Sequence, residues 1–488
     1  MKGIKSILVN VCRFIVAPTF IFSGFVKAVD PLGTQYKIQD YLEALGMGDA
    51  LPDWVTLGTS VLLAALEFIL GVLLLFAIHR RTVSKVIVVF LAIMTAITLW
   101  LALANPVSDC GCFGDAIHLT NWQTFGKNVV LLAMAVVIML WPLKMLRFIS
   151  KTNQWIVINY TALFILAISA WCLYTLPLFD FRPYHVGADI RAGMEIPEGE
   201  KPPQYETTFI LEKDGEQKEF TLDEYPDSTW TFIDSKTVMT EEGYVPPIHD
   251  FILETVDEGV DITDSLLSAP GYTFLLVSPL LENAYDSYFG TIDQLYEYAK
   301  DHGYGFYGVT SSGDEAISRW RDLTGAEYPF CRADRTMLKT VIRSNPGLLL
   351  LKGGVVIRKW SHNQLPELDE KSLPLERHEL GKLPEDSVPR KIATILLWFA
   401  LPLFLLTLAD RLWAWTRWLK RKKGAKKGQG ARSKGQEAED MEQEADIKEQ
   451  GAGSKGQEAE DMEQEANIKE QGAGSKEQGA GSKEQENS

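Results

Sequence analysis

Six long apolar stretches divide the chain, at residues 7–26, 54–78, 83–104, 128–145, 155–176 and 392–413. Each approaches the ~20 residues that a helix needs to cross the hydrocarbon core of a bilayer. Between the fifth and the sixth the period shortens, and residues 180–390 read as strands alternating with amphipathic helices. Beyond residue 416 apolar positions become sparse. The pattern predicts a multi-domain chain: a four-helix transmembrane bundle (1–150), a fifth transmembrane helix (155–177), a β-containing lead-in (178–244), an α/β domain (245–365), a linker (366–390), a sixth transmembrane helix (391–415) and a cytoplasmic tail (416–488). The first stretch is flanked by Lys2 and Lys5, carries Arg13 and lacks a small-residue cleavage site, so it reads as an uncleaved anchor.

A length of 488 residues with 46% hydrophobic residues exceeds one core and fits a membrane protein whose first partner is the lipid bilayer. The net charge of -16 is too unevenly distributed to identify partners, and no segment calls for a nucleic acid or a metal ion. Local charge sets orientation. Arg80, Arg81 and Lys85, then Lys144, Arg147 and Lys151, then Arg417 with Lys420, Arg421, Lys422 and Lys423 occupy alternate connections. The positive-inside rule puts these in the cytoplasm, together with both termini. Residues 178–390 are then extracytoplasmic, in a multi-pass protein of the cell (inner) membrane. The tail continues as a near-exact repeat beginning Gly430-Ala431-Arg432-Ser433, too poor in apolar residues to bury a core and therefore expected to be disordered.

Five cysteines do not make a disulfide framework, but two of them stand out. Asp109-Cys110-Gly111-Cys112-Phe113-Gly114 places two thiols one residue apart just beyond the third span, on the oxidising side of the membrane. A disulfide closed across a single glycine is expected to be strained and easily reduced, which suits a redox pair better than a staple. Cys12 and Cys172 lie within apolar helices, where cysteine behaves as a small hydrophobe.

The outer segment predicts a hairpin from strands at 206–211 and 218–222 around Asp214-Gly215. The run 250–253 and a strand at 272–277 then precede a helix at 285–302 and a strand at 304–309. Helices at 314–323 and 335–342 follow, then Asn345-Pro346, a strand at 347–351, a Gly353-Gly354 turn and a strand at 355–360. From 245 to 362 this resembles a thioredoxin-like domain of the peroxiredoxin and TlpA type. The resemblance implies a cis proline at Asn345-Pro346 and client binding through these two residues. Where that family carries Cys-x-x-Cys, this chain reads Ser278-Pro279-Leu280-Leu281-Glu282, without a thiol. Cys331 precedes Arg332 in a segment expected near the proline loop, where a cation would lower its pKa, although an isolated half-buried cysteine is the plainer reading.

Glu67 and Arg13 are ionisable groups inside predicted spans at comparable depth, so they are expected to pair across helices. Lys27 is expected to snorkel outward. The motif Phe22-Ser23-Gly24-Phe25-Val26-Lys27 with Asp30-Pro31, Glu67 followed by Gly71, and the Cys-Gly-Cys loop together resemble the MauE and DoxX group of membrane proteins over residues 1–150. That resemblance implies a four-helix redox bundle, loosely similar to vitamin K epoxide reductases. It also implies a quinone as cofactor and a role like that of MauE in maturing a disulfide-rich protein. Glu67 and Arg13 then serve either as a purely structural pair or as a proton path and polar grip on the quinone headgroup.

Two functions remain open from the sequence. One is a membrane thiol–disulfide oxidoreductase in which Cys110 and Cys112 exchange electrons with extracytoplasmic client thiols. The other is a non-enzymatic scaffold or assembly factor that binds a client through a thioredoxin-like domain lacking its nucleophile.

Overall fold

The computed structural model describes residues 2–428, except 49, 108–110, 203, 214–215, 222–225, 227–228, 242 and 386. Cys110, Asp109, the Asp214-Gly215 turn and the repeats of the tail lie outside the described residues. Six described helices are long and apolar enough to cross a membrane.

The chain opens with α1 (Lys2–Val29), α2 (Pro31–Ala44), α3 (Asp53–Leu75), α4 (Arg80–Ala104) and α5 (Asn121–Leu140). Helix α2 falls in a stretch that reads from the sequence only as an acidic connection. Pro31 at its first position and the Asp30 carboxylate accepting from the Gly33 amide at 2.9 Å start it. Ser60 and Gln35 then tie it to α3, through the Pro31 carbonyl at 2.7 Å and Thr56 Oγ1 at 3.1 Å. Helix α5 begins seven residues earlier than its apolar run, because Thr120 and Gln123 form a reciprocal capping box.

Helices α1 and α3 cross backbone to backbone at two glycines. A Cβ on Gly24 would meet the Phe68 amide nitrogen at 2.4 Å, and one on Gly71 would meet the Ile21 nitrogen at 2.7 Å. Small residues permit this approach, and dispersion rather than water drives it inside a bilayer. Gly71→Ala is therefore expected to push the helices apart and destabilise the bundle by about 1–3 kcal/mol. Gly58→Ala, with nothing within 4 Å of the new methyl, should be silent. Thermal melting of the two purified variants checks this.

Helix α6 (Gln154–Tyr174) packs on α1 and α3 and leads into a short α7 (Ile190–Met194). A three-stranded sheet of order β2-β1-β3 follows, from β1 (Gln204–Lys213), β2 (Glu216–Thr221) and β3 (Thr231–Glu241), one strand more than the expected hairpin. Next come β4 (Glu254–Thr255), α8 (Thr263–Ser268), β5 (Tyr272–Ser278), α9 (Phe289–Asp301), β6 (Gly305–Thr310), α10 (Asp314–Thr324), β7 (Phe330–Arg332), α11 (Arg335–Val341), β8 (Gly347–Lys352) and β9 (Val355–Ser361). They build a six-stranded sheet of order β4-β7-β6-β5-β8-β9. Strands β5, β6 and β7 run parallel, whereas β8 and β9 form an antiparallel hairpin closed at Gly353 and Gly354, both at positive φ. Every residue of β5 is buried, as its unbroken apolar run requires of a strand covered on both faces. The peptide bond between Asn345 and Pro346 is cis.

Residues 365–381 close over one face of this sheet, with Leu368 and Leu375 buried and the Tyr272 hydroxyl donating to the Gly381 carbonyl at 3.0 Å. The last helix, α12 (Val388–Gly428), runs well past the apolar stretch that predicts it and rests on the bundle through Phe399 against Phe68 and Phe164.

Candidate functional site

Antiparallel packing of α1 on α3 sets which polar groups meet. Through the Gly24 and Gly71 contacts, Glu67 stands opposite Ser23 and Lys27, while Leu75 stands opposite Arg13. Residue 13 lies ten residues along α1 from residue 23, about 15 Å at 1.5 Å per residue. The expected Arg13–Glu67 pair is thus not formed. The sequence fixes depth only roughly, and this packing register decides the partner.

Glu67 pairs with Lys27 instead, at 2.8 Å, with both side chains 6% exposed. Lys27 does not snorkel outward. Its ammonium donates to Ser23 Oγ at 2.8 Å, to Glu67 Oε2 at 2.8 Å and to the Cys112 backbone carbonyl at 2.7 Å. Ser23 Oγ lies 2.6 Å from Glu67 Oε2 and 2.8 Å from the same carbonyl. Two buried side chains, Lys27 and Ser23, therefore hold the loop from below by the backbone carbonyl of Cys112, and Glu67 holds both of them. The i, i+4 spacing of Ser23 and Lys27 places them on one face of α1, a signal available in the sequence.

Above this network the loop turns through Gly111 and Gly114, both at positive φ, with Phe113 against Phe22 and under the Lys127 ammonium at 4.0 Å. Cys112 is half-buried and lines a cavity of about 190 Å³. Glu67, Lys27 and Ser23 stand at one side of it, and Phe20, Phe90, Met94 and Leu131 from α1, α4 and α5 supply apolar wall. This volume falls below the ~300–1,000 Å³ of drug-sized sites.

The α/β domain reaches the same loop. Arg343, two residues before Asn345, is buried and donates from Nε to both Asp30 oxygens at 3.0 and 2.9 Å and from Nη2 to Asp115 Oδ2 at 3.3 Å. Asp30 caps α2 and Asp115 follows the cysteines by three residues, so one guanidinium joins the proline segment, the bundle and the thiol loop. Tyr36 lies beneath it, 4.4 Å from the Lys339 ammonium. A second clasp joins Asp180, just after α6, to Arg182 at 2.7 Å and Lys359 at 2.9 Å. Burial alone would raise the Asp180 carboxyl, but Lys359 and Arg182 outweigh it and hold it well below the usual carboxylate range. Since the unfolded group titrates near 4, this contribution is complete above about pH 4 and lost as pH falls towards the folded value. Proteolysis of the 179–182 connection is expected to be slow at neutral pH and to accelerate only below about pH 4.

In the proline loop Asn345 is held from both ends of its amide, accepting from Ser278 Oγ at 2.6 Å and donating to the Leu280 carbonyl at 2.8 Å. Ser278 ends β5 and Glu282 lies four residues beyond it, in the stretch where the resemblance to a thioredoxin-like domain leads one to expect thiols. The Glu282 carboxylate accepts from Ser312 Oγ at 2.6 Å, which holds it below its ordinary pKa. Cys331 corrects another expectation. It is fully buried in β7, where burial pushes its thiol up to about 11, and the neighbouring Arg332 pairs with Asp314 rather than serving the sulfur. Its place in a three-residue strand explains why it reads ambiguously from the sequence.

A search of curated proteins gives no match. Over 24% of its length the chain is similar to the solution structure of a candidate protein disulfide isomerase from Bacteroides thetaiotaomicron, covering 76% of that chain at 14% identity and a TM-score of 0.21. Residues 205–242 match a family described as a domain of unknown function. Residues 5–141, which hold α1 to α5, the buried Lys27–Glu67 pair and the Cys-Gly-Cys loop, match the family described as methylamine utilisation protein MauE.

Proposed function

We propose that the protein is a membrane thiol–disulfide oxidoreductase whose redox pair is Cys110 and Cys112, working at the extracytoplasmic face of the cell membrane. The observation that carries this reading is the anchoring of the Cys112 backbone carbonyl by Lys27 and Ser23, themselves held by Glu67, at the edge of an apolar cavity. A packing cysteine needs no such buried polar support, which costs desolvation of two charges.

The reaction balances in two steps. A client dithiol gives two electrons and two protons to the Cys110–Cys112 disulfide, becoming a disulfide while the pair becomes two thiols. A quinone, if bound in the cavity, would supply the two-electron, two-proton oxidation that returns the pair to its disulfide. The site fits one: Asn128 and Lys127 bring polar groups to the cavity while its remaining wall is largely apolar. Lys27 keeps its three donors on Ser23, Glu67 and Cys112, so its part is to hold the loop and the carboxylate in place. Glu67, also at the cavity, is the group to receive or relay protons released there.

The α/β domain, in this reading a thioredoxin-like unit without its nucleophile, presents clients. Its Asn345–Pro346 loop follows Arg343, which the Asp30 and Asp115 carboxylates hold beside the thiol loop. A scaffold that only binds clients remains the competing reading, favoured by Ser278 in place of a thiol. Trapping decides between them: offered a client that already carries a disulfide, the lone thiol left by Cys112→Ser or Cys110→Ser should attack it, forming a mixed disulfide and releasing one client thiol, with no second cysteine in the loop to resolve it, and the scaffold gives none. Membrane-impermeant labelling of a cysteine placed at Ser433 tests the orientation, and labelling in intact cells would contradict a cytoplasmic tail.

A further inference from the structure

We infer that the basic end of the bundle, away from the cysteine loop, is a binding site for a phosphate group, supplied by an anionic phospholipid. This rests on observations separate from the thiol chemistry. Three arginines converge on the turn that follows α5. Arg80 donates to the carbonyls of Leu143 and Met145, both at 3.1 Å, and Arg13 donates to the Leu146 carbonyl at 2.7 Å and to Asn10 Oδ1 at 3.0 Å. The other Arg13 amino group donates to the carbonyl of Leu75, the last residue of α3. Arg147 stands in the turn itself.

The charges do not balance. Arg13 is wholly buried, yet among the described residues neither it, Arg80 nor Arg147 forms an ion pair with a carboxylate. The C-terminal ends of α3 and α5 contribute about half a negative charge each, against three full positive ones. Segments 1–13, 79–85, 141–153 and 408–418 carry one carboxylate between them, Asp410, and it accepts from the Ser150 amide and hydroxyl and from Asn153. The Nε atoms of Arg13 and Arg147 are buried and have no hydrogen-bond partner. Three guanidiniums with no carboxylate among them, two of which keep an Nε without an acceptor, call for an anion, and the planar fork of half-buried Arg147 matches two oxygens of a phosphate.

Depth identifies the source. Trp141 packs under the Lys5 ammonium at 5.0 Å, and Trp155 is exposed beside the same turn, the belt expected at headgroup level. A basic pocket between spans on the positively charged side is where acidic lipid headgroups bind.

The full chain in neutral detergent is the test, with phosphatidylglycerol, phosphatidylcholine or inorganic phosphate added. Phosphatidylglycerol should raise the melting temperature by about 5 °C at saturation, and phosphatidylcholine should not. Arg147→Gln removes a half-buried group with an orphaned donor, so folding should survive. Phosphatidylglycerol affinity should then drop roughly tenfold or more, while Arg147→Lys retains part of it and Lys151→Gln, an exposed neighbour, retains all. Equal stabilisation by inorganic phosphate, lost with Arg147→Gln, would assign the same site to a soluble phosphate. No stabilisation by either phosphate source, or full stabilisation of Arg147→Gln, overturns the proposal.

Discussion

Replacing Cys112 by serine is expected to abolish oxidation of extracytoplasmic client thiols while leaving the bundle folded and inserted. The two outcomes separate because the loop is anchored through the Cys112 backbone carbonyl, which serine keeps, whereas the electrons pass through the sulfur. Cys110→Ser should give the same loss. A Cys-x-Cys disulfide is expected to be oxidising, since its short ring resists the preferred torsion, so clients are held oxidised at the expense of the pair. Thiol alkylation after acid quenching checks this: client thiols should be reduced in both variants and disulfide-bonded with the native chain. Cys331→Ser, at a fully buried thiol whose pKa is raised to about 11, should leave client oxidation unchanged.

Lys27→Met is expected to have the largest effect on stability. It leaves the Glu67 carboxylate buried with Ser23 as its remaining partner, and breaking one side of a buried pair costs about 3–5 kcal/mol. It also takes the ammonium donor off the Cys112 carbonyl, so the loop loosens. The double variant Lys27→Met with Glu67→Gln should recover much of the stability, because no unpaired charge remains. It should not recover the rate of thiol oxidation, because the loop still lacks its ammonium donor and the cavity its carboxylate. Thermal melting and a dithiol oxidation rate on the same preparations separate the two roles. A single variant that melts within 1 kcal/mol of the native chain would show that the pair is not the anchor described.

The apolar helices were legible because length and composition alone decide whether a segment can span, and α3 and α4 fall close to their expected bounds. In the α/β region the strands β5, β8 and β9 and the Gly353–Gly354 turn were legible from largely apolar runs and paired glycines, whereas the cis bond at Pro346 was expected only from the resemblance of residues 245–362 to a thioredoxin-like domain. Helix α2 was not, because its start depends on Asp30 and Pro31 and its stability on tertiary bonds to α3 rather than on an apolar period. The third strand of the lead-in sheet was likewise missed, since β3 carries no regular alternation. At the site, Cys112, Glu67 and Lys27 were each singled out, but their pairing was not. Which cation meets Glu67 follows from the crossing at Gly24 and Gly71, a three-dimensional register that depth counting along single helices does not contain. The Arg343 clasp joins residues 313 and 228 positions apart, and nothing local marks Asp30 or Asp115 as its partners.

The central claim is that electrons pass from client thiols through Cys110 and Cys112 to an acceptor in the bundle. The most direct measurement uses the full chain in proteoliposomes with a reduced dithiol peptide outside and a short-chain ubiquinone analogue in the bilayer, following quinol absorbance and peptide thiols together. The account predicts one quinol formed per peptide disulfide with the native chain, and background rates with Cys110→Ser, Cys112→Ser or both. Quinol formation unaffected by the serine variants, or none with the native chain, would contradict it.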